Sequence, residues 1–463
     1  MRRAETRSRR VRASRRESST GSAAEFAELQ RETFGYFLHE ANPGNGLIPD
    51  NTRYGAACSI AAVGLAMACY PVAARRGWLT RTEAAERTLA TLRFFERSPQ
   101  GPEPDATGYR GLYYHFLSMR TGRRDHGCEI STIDSAILLA GALTAGAFFD
   151  GPSQPEREIR ELAESLYARA EWDWALHADG RISHGWDPER GFLPNSWGGY
   201  NETLILYVLA LGSPTHPVGP DSYASWTKTY RWMTLYGQRF LYAGPLFTHQ
   251  LSHIWIDFRG IADAYMRRRK IDYFENSRRA TYVQQRYAME NPRGFEGYTE
   301  HCWGVTASDG PGNIVKRVAG VTRRFYDYRA RGVPFGPDDG TISPWASVTS
   351  LPFAPEIVVP TVQFFNERYP HMRSRYGFMC SFNPTFPAES AKGWVAHGYF
   401  GLDQGPVVLM IENHQSEMLW KLMRRSPHLV RGLRRAGFRG GWLDRAPAGR
   451  SGGQEGRRKR KAP

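Results

Sequence analysis

Between Glu25 and Met423 the chain alternates runs of helical periodicity with loops rich in Gly, Pro and aromatic residues, and the helical runs are of two kinds. One kind has a single apolar face. Ile159, Leu162, Ala163, Leu166, Tyr167, Ala170 and Trp174 recur at helical spacing, while Glu156, Arg157, Glu158, Arg160, Glu161 and Glu164 fill the other side. The stretches Thr80–Ser98 and Asp272–Glu290 behave similarly. The other kind is apolar nearly all round: Gly55–Ala74, Ser135–Phe149, Thr203–Gly212 and Gly405–Met410. Helices of this second kind must be covered on every side, and helices of the first kind can supply the cover. The pattern predicts an all-α fold in which one-faced helices surround buried ones, and an (α/α)6 toroid, a double ring of helical hairpins, satisfies it. Alternating β-branched runs are scarce, which argues against a parallel α/β fold. The connections are long for helix loops, as in Gly101–Cys128, Asp179–Gly199, Phe295–Ile314 and Tyr376–Leu402, and ordered loops of that length usually carry function.

The uncharged run Gly55–Ala74 is long enough to span a bilayer. It is mostly Ala and Gly, with Ser59, Tyr70 and Pro71, so it reads as an inner helix packed on other helices, and no transmembrane segment is predicted. Composition, at 41% hydrophobic and 23% charged over 463 residues, is that of a globular protein. The formal net charge of +15 sits at the ends: residues 1–24 carry +6 and residues 424–463 carry +11, which leaves the body at −2. A near-neutral body argues against a basic groove and against a specific nucleic-acid partner. The division expected is a disordered basic tail over 1–24, a single domain over 25–423, and a basic, largely disordered extension over 424–463. The start has the basic flank of an export signal without its apolar core, so no signal peptide is legible. Nothing in the sequence indicates an oligomeric state.

Five widely spaced cysteines without a CxxC pair read as buried free thiols. There is no phosphate loop, no GxGxxG after a strand, no HExxH and no GxSxG elbow, which removes nucleotide, dinucleotide, zinc-protease and α/β-hydrolase chemistry. His249 and His253 stand at i and i+4 but lack a third ligand, so neither a metal nor another cofactor is expected. Carboxylates, by contrast, gather where the apolar helices begin: Glu129 and Asp134 in DHGCEISTIDSAILLAGAL, Glu202 in SWGGYNETLILYVLALG, and Asp403 in YFGLDQGPVVLMIEN. An acid in a first helical turn is favoured by the exposed backbone donors alone. Several such helices opening toward one end of a toroid would nevertheless converge their acids, the equipment for protonating a leaving group and activating water. Trp186, Trp197, Tyr200, Trp255, Trp303, Trp345 and Trp394 sit beside Gly, Asn and His in loops or at helix starts, as sugar-stacking side chains would. Core packing is the alternative for each of them, and it is weakest for Trp197 in NSWGGYNE and Trp303 in EHCWGVTASDGP.

At these residues the sequence resembles the bacterial glucoamylase-like domain family that includes the β-1,2-glucanases of glycoside hydrolase family 144 and a domain of cyclic β-1,2-glucan synthases. The matching stretches are SHGWDPERGFLP, SWGGYNETLILYVLALGSPTHPV, GPLFTHQLSHIWIDFRGIAD, DYFENSRRAT, WGVTASDGP, DGTISPWASVTSLPFAPEIVVPTV and GYFGLDQGPVVLMIENHQSEMLWKLM, covering about Asp179 to Met423. The resemblance implies an (α/α)6 catalytic domain that hydrolyses β-linked glucan, β-1,2-glucan foremost, by an inverting mechanism. It makes Glu202 the leading candidate for the acid and Glu129 or Asp134 the candidate for assisting water, with Asp125 close by. Trp197, Tyr200, Asn201, His249, Trp255, Arg259, Trp303, Asp309, Asp403 and Gln404 become candidate substrate contacts, although Asp257 and Arg259 could equally form a structural ion pair. It also implies a periplasmic or secreted location. A retaining transglycosylase on β-1,2-glucan and a non-catalytic carbohydrate-binding protein remain the alternatives.

Overall fold

A computed structural model describes residues 23–388 and 392–447 of the protein. The helices follow the apolar pattern. In chain order they are α1 (residues 23–39), α2 (Ile60–Arg76), α3 (Arg81–Arg97), α4 (Thr132–Phe148), α5 (Gln154–Ala168), α6 (Leu204–Gly212) and α7 (Pro220–Thr227). After them come α8 (Ala264–Arg269), α9 (Tyr273–Glu290), α10 (Pro344–Thr349), α11 (Pro355–Arg368), α12 (Gly401–Ser416), α13 (Met418–Met423), α14 (Pro427–Arg435) and α15 (Gly441–Arg445). The one-faced helices start on strong caps. Thr80 and Glu83 form a reciprocal capping box at α3, and Asp272 accepts from the Glu275 amide at 2.8 Å at α9.

The all-apolar helices lie inside. In α4 and α6 nearly every side chain is buried, and α2 is buried from Ile60 to Ala73. Helix α2 packs on α4, α4 on α5 and α6, and α12 on α2 and α10, with α3 against α2 and α5. Backbones touch at the α2–α4 crossing: a Cβ on Gly141 would overlap the Gly64 carbonyl oxygen, and one on Gly64 would overlap the Ile137 carbonyl. This explains why α2 is rich in Ala and has Gly64 at the crossing without being a membrane span. Among the described residues no helix is long and apolar enough to cross a membrane.

Two expectations need correction. The fold is helix-rich but not purely helical, because its long loops are tied by short antiparallel strands. The largest sheet runs Gly108–Tyr109, Leu112–Tyr114, Ile130–Ser131, Gly185–Asp187 and Gly191–Phe192. Strands of two or three residues are too short to show period-two alternation, so they read as Gly/aromatic loops. The second correction concerns the C-terminal segment. The stretch expected as a disordered extension is folded from 424 to 446: α14 buries Leu429, Val430 and Leu433 and crosses α6, where a Cβ on Gly432 would overlap the Val208 carbonyl oxygen. Phe438, Trp442 and Leu443 are buried after it, and the Trp442 indole donates to the Asp257 carbonyl at 2.8 Å. The arginines between them hid this apolar face in a net-charge count, yet Arg434 and Arg435 spend their guanidinium groups on backbone carbonyls such as Leu443 and Leu211. The expected tail over 1–24 lies outside the described residues except for its last two, which begin α1.

Both backbone crossings make a direct prediction. Gly141→Ala and Gly432→Ala should each destabilise the fold by about 1–3 kcal/mol, the scale of an overpacked core site. Urea unfolding should show a lower midpoint at unchanged slope; wild-type midpoints would contradict the close approach.

Candidate active site

The five-strand sheet is what gathers the site. Register sets Tyr114 opposite Ile130, so His115 and Glu129 face each other just beyond that pair, and Ser131 opposite Gly185, so His184 comes to lie beside Thr132 at the start of α4. The His115 amide donates to the Glu129 carbonyl at 2.9 Å and the Thr132 amide to the His184 carbonyl at 3.3 Å, which fixes both neighbours against the start of α4. There Ser131 is the N-cap, accepting from the Asp134 amide at 3.2 Å while its hydroxyl donates to the Asp134 carboxylate. Neither acid is therefore the cap. From the other end of the chain, Asn51 bridges to Phe400 and the Gly401 amide donates to the Asp50 carbonyl at 2.9 Å, bringing Asp50 to the start of α12 and its Asp403.

These elements enclose a cavity of about 610 Å³, whose wall includes Asp50, His115, Glu129, Asp134, Glu202 and Asp403. The acids are held in different protonation states. Glu202 precedes α6; the Ser252 hydroxyl donates to its carbonyl at 2.7 Å, and burial with the nearby charge of Asp134 pushes its carboxyl up to about 7. Burial also raises Glu129, but the hydrogen bond and charge of His115 outweigh it, and the net displacement is downward. His115 stands between two carboxylates, its Nδ1 3.1 Å from Glu129 and its Nε2 3.6 Å from Asp134. Burial raises both Asp50 and Asp403, the latter strongly. The cavity thus holds one carboxyl poised near neutrality beside another kept ionised, the separation by environment that acid/base chemistry requires.

Its remaining wall suits a polyol. Trp197 is pinned by its indole N–H donating to the Thr132 hydroxyl at 3.0 Å and lies tilted against His184, 4.1 Å between centroids. Phe116, Phe247, Tyr328, Trp345 and Phe400 add aromatic surface. Three polar atoms of wall residues, Gln250 Oε1, Trp345 Nε1 and Asp403 Oδ2, are buried without a hydrogen-bond partner, which is costly unless a ligand supplies one. Among the described residues no group of three or more His, Cys, Asp and Glu is arranged to hold a metal ion.

Of the residues singled out from sequence, Glu129, Asp134, Glu202, Trp197, Trp345 and Asp403 line the cavity. The others do not, and each has another occupation. Tyr200 is buried among Tyr230, Tyr273 and His249. His249 is fully enclosed, and burial drives its imidazole down to about 4, as befits a neutral core residue. Asn201 accepts from the Thr203 amide and hydroxyl, shaping the turn that presents Glu202. Trp255 and Trp303 are fully buried core. Arg259 pairs with Asp257 at 2.8 Å and Glu417 at 2.9 Å and lies over the Trp420 ring, so it is the structural ion pair. Gln404 is buried, donating to the Phe378 carbonyl. Asp309 sits one residue removed, paired with the wall residue Arg53.

Sequence reading missed Asp50, Arg53, His115, His184, Gln250 and Tyr328. His184 and Gln250 fall inside stretches that carried the resemblance and were within reach. Asp50 and Arg53 in IPDNTRYG, and His115 in GLYYHFLS, carried no local signal; strand pairing between distant loops brings them in.

The fold is that of the glucoamylase-like class. The chain belongs to the Glycoamylase family, whose model, described as "Putative glucoamylase", matches residues 194–427. It is similar to a solved "putative glucoamylase" from Bacteroides uniformis, at 30% identity and a TM-score of 0.80 over 90% of this chain and 98% of that one. It is also similar to an endo-β-1,2-glucanase from Chitinophaga pinensis, solved with sophorotriose and glucose, at 25% identity and a TM-score of 0.79 over 91% and 99% of the two chains. An exo β-1,2-glucooligosaccharide sophorohydrolase from Parabacteroides distasonis is 28% identical over 445 residues, which are 88% of this chain. The chain spans 57% of that relative's length.

Ser131 ties the cap of α4 to the placement of Asp134. Ser131→Ala should cost about 0.5–2 kcal/mol of stability, the loss of an N-cap, seen as a lower urea midpoint. An unchanged midpoint would remove the cap from the account.

Proposed function

We propose that the protein is a glycoside hydrolase cutting β-linked glucan, most specifically β-1,2-glucan, with inversion at the anomeric carbon, and that its inner and outer helices form an (α/α)6 toroid. The observation that carries the reading is the split in protonation within one sugar-sized cavity: Glu202 near 7, Glu129 held ionised, and unpartnered buried polar atoms around them. The named activities of the Chitinophaga and Parabacteroides relatives supply the linkage.

In this mechanism the neutral Glu202 carboxyl gives its proton to the glycosidic oxygen as the bond to the anomeric carbon breaks. One of Glu129 or Asp134 takes a proton from a water, and the hydroxide attacks that carbon from the opposite face. The carboxyl of Asp403, kept neutral by burial, serves as a hydrogen-bond donor to a sugar hydroxyl. Trp197 and the other aromatic walls stack on the apolar faces of glucose rings.

Purified protein with linear β-1,2-gluco-oligosaccharides, followed by NMR of the first-formed anomer, tests the reading. An α-anomer from the β-linkage is expected. A β-anomer with products longer than the substrate would mean a retaining transglycosylase, and binding without turnover a carbohydrate-binding protein.

Glu202→Gln preserves shape but removes the proton donor, so turnover should fall by roughly 10² or more with KM little changed. Near-normal turnover would take Glu202 out of the mechanism. In the wild-type protein, kcat/KM should fall on the alkaline side with a midpoint near 7, because the reactive form is the protonated one and is lost as pH rises through that value. A rate that stays flat to pH 9 would contradict the assignment.

A further inference from the structure

We infer that His115 is a positioning residue of this site: held between Glu129 and Asp134, with one ring nitrogen toward each carboxylate, it sets the placement and charge of the water-activating acid opposite Glu202. The inference rests on the hydrolytic reading above, since it assigns the charge state of the same acids.

The geometry comes first. His115 follows the strand Leu112–Tyr114, and its backbone is fixed on both sides, its amide donating to the Glu129 carbonyl and its carbonyl accepting from the Ile60 amide at 3.3 Å. The ring lies flat on Phe116, 4.0 Å between centroids and 13° between planes, so it cannot swing away from the acids without losing that contact. Each ring nitrogen then faces a carboxylate, Nδ1 at 3.1 Å and Nε2 at 3.6 Å. The Nδ1 contact is a hydrogen bond and the Nε2 contact an ion-pair distance; a neutral imidazole carries one N–H and would turn a lone pair toward one of the acids, whereas an imidazolium presents an N–H and positive charge to both.

The surroundings agree. Burial by itself would lower His115, but Asp134, Glu129 and, from the loop before α2, Asp50 reverse that and carry it to about 9. The guanidinium of Arg124 acts on Glu129 in the same sense as His115 does. Arg53, the other cation of the cavity wall, is engaged by Asp309.

The role has a consequence that simple packing does not. Two carboxylates on either side of a cation repel each other once it is gone, which disfavours the charged form and raises the pKa of at least one. Removing the imidazolium should therefore raise the pH at which the water-activating carboxylate becomes ionised.

The test is the pH profile of kcat/KM for wild type, His115→Asn and His115→Gln on a β-1,2-gluco-oligosaccharide. In both variants the acid limb should move up by about one pH unit or more, with kcat at the optimum reduced about tenfold or more and KM changed less than about threefold. An acid limb that stays in place, whatever the loss of rate, would overturn the inference and leave His115 a packing residue. Should the variants not fold, NMR titration of the His115 ring in the unliganded wild-type protein decides: protonation persisting above pH 8 is expected, and a midpoint at or below 6.5 overturns it. That titration needs no substrate, so a wild type without turnover on β-1,2-glucan would count against the hydrolytic reading while the charge state of His115 is still measured.

Discussion

Charge compensation inside one half-open cavity is the constraint on which the rest of the site depends. Asp50, Glu129, Asp134, Glu202 and Asp403 face a space of about 610 Å³, and carboxylates crowded there raise one another's cost of carrying charge. The structure resolves the conflict unevenly. Around His115 the negative charge is tolerated, while away from it, at Glu202 and Asp403, burial wins and the neutral acid is favoured. The same imbalance that makes the acids compatible with folding also separates a proton donor from a proton acceptor, so stability and chemistry draw on one arrangement.

Holding that arrangement falls to short pieces of sheet resting on closely packed helices. Helices α2 and α4 approach until their backbones touch at Gly64 and Gly141, which sets their N-termini, capped by Ser59 and Ser131, side by side. The strand Cys58–Ser59 pairs with Phe116–Leu117, and Leu112–Tyr114 pairs with Ile130–Ser131, so the loops entering both helices are stitched to the segment that carries His115. A rigid base of apolar helices and a hydrogen-bonded rim of loops is an economical way to fix side chains that repel one another.

The C-terminal helices show how the same packing logic extends past the boundary that charge suggested. Leu429, Val430 and Leu433 cover α6, the helix behind Glu202, and Trp442 reaches the loop at Asp257. Arg434 and Arg435 are not a solvated basic patch here but caps on carbonyl groups left open by neighbouring elements. Net charge over a segment says little about burial when long side chains can snorkel along apolar surface.

What the sequence by itself determined was local: the helices and their caps follow from the spacing of apolar residues and from Thr80, Ser131 and Asp272, because helical periodicity and capping act within a few residues. The resemblance carried Glu202, Glu129, Asp134, Trp197 and Asp403, which lie in or beside helix starts where motif and position coincide. Tertiary structure decided the rest. It turned Trp255, Trp303, Tyr200 and His249 into core and Arg259 into an ion pair, since an aromatic or charged side chain has the same local signature whether it faces a ligand or a neighbouring helix. It also brought in Asp50 and His115 through bridges between segments far apart in the chain, and no pattern within either segment encodes which distant strand it will pair with. The acids are legible as residue types at helix starts, but their protonation states are a property of the cavity, which exists only once the chain has folded around it.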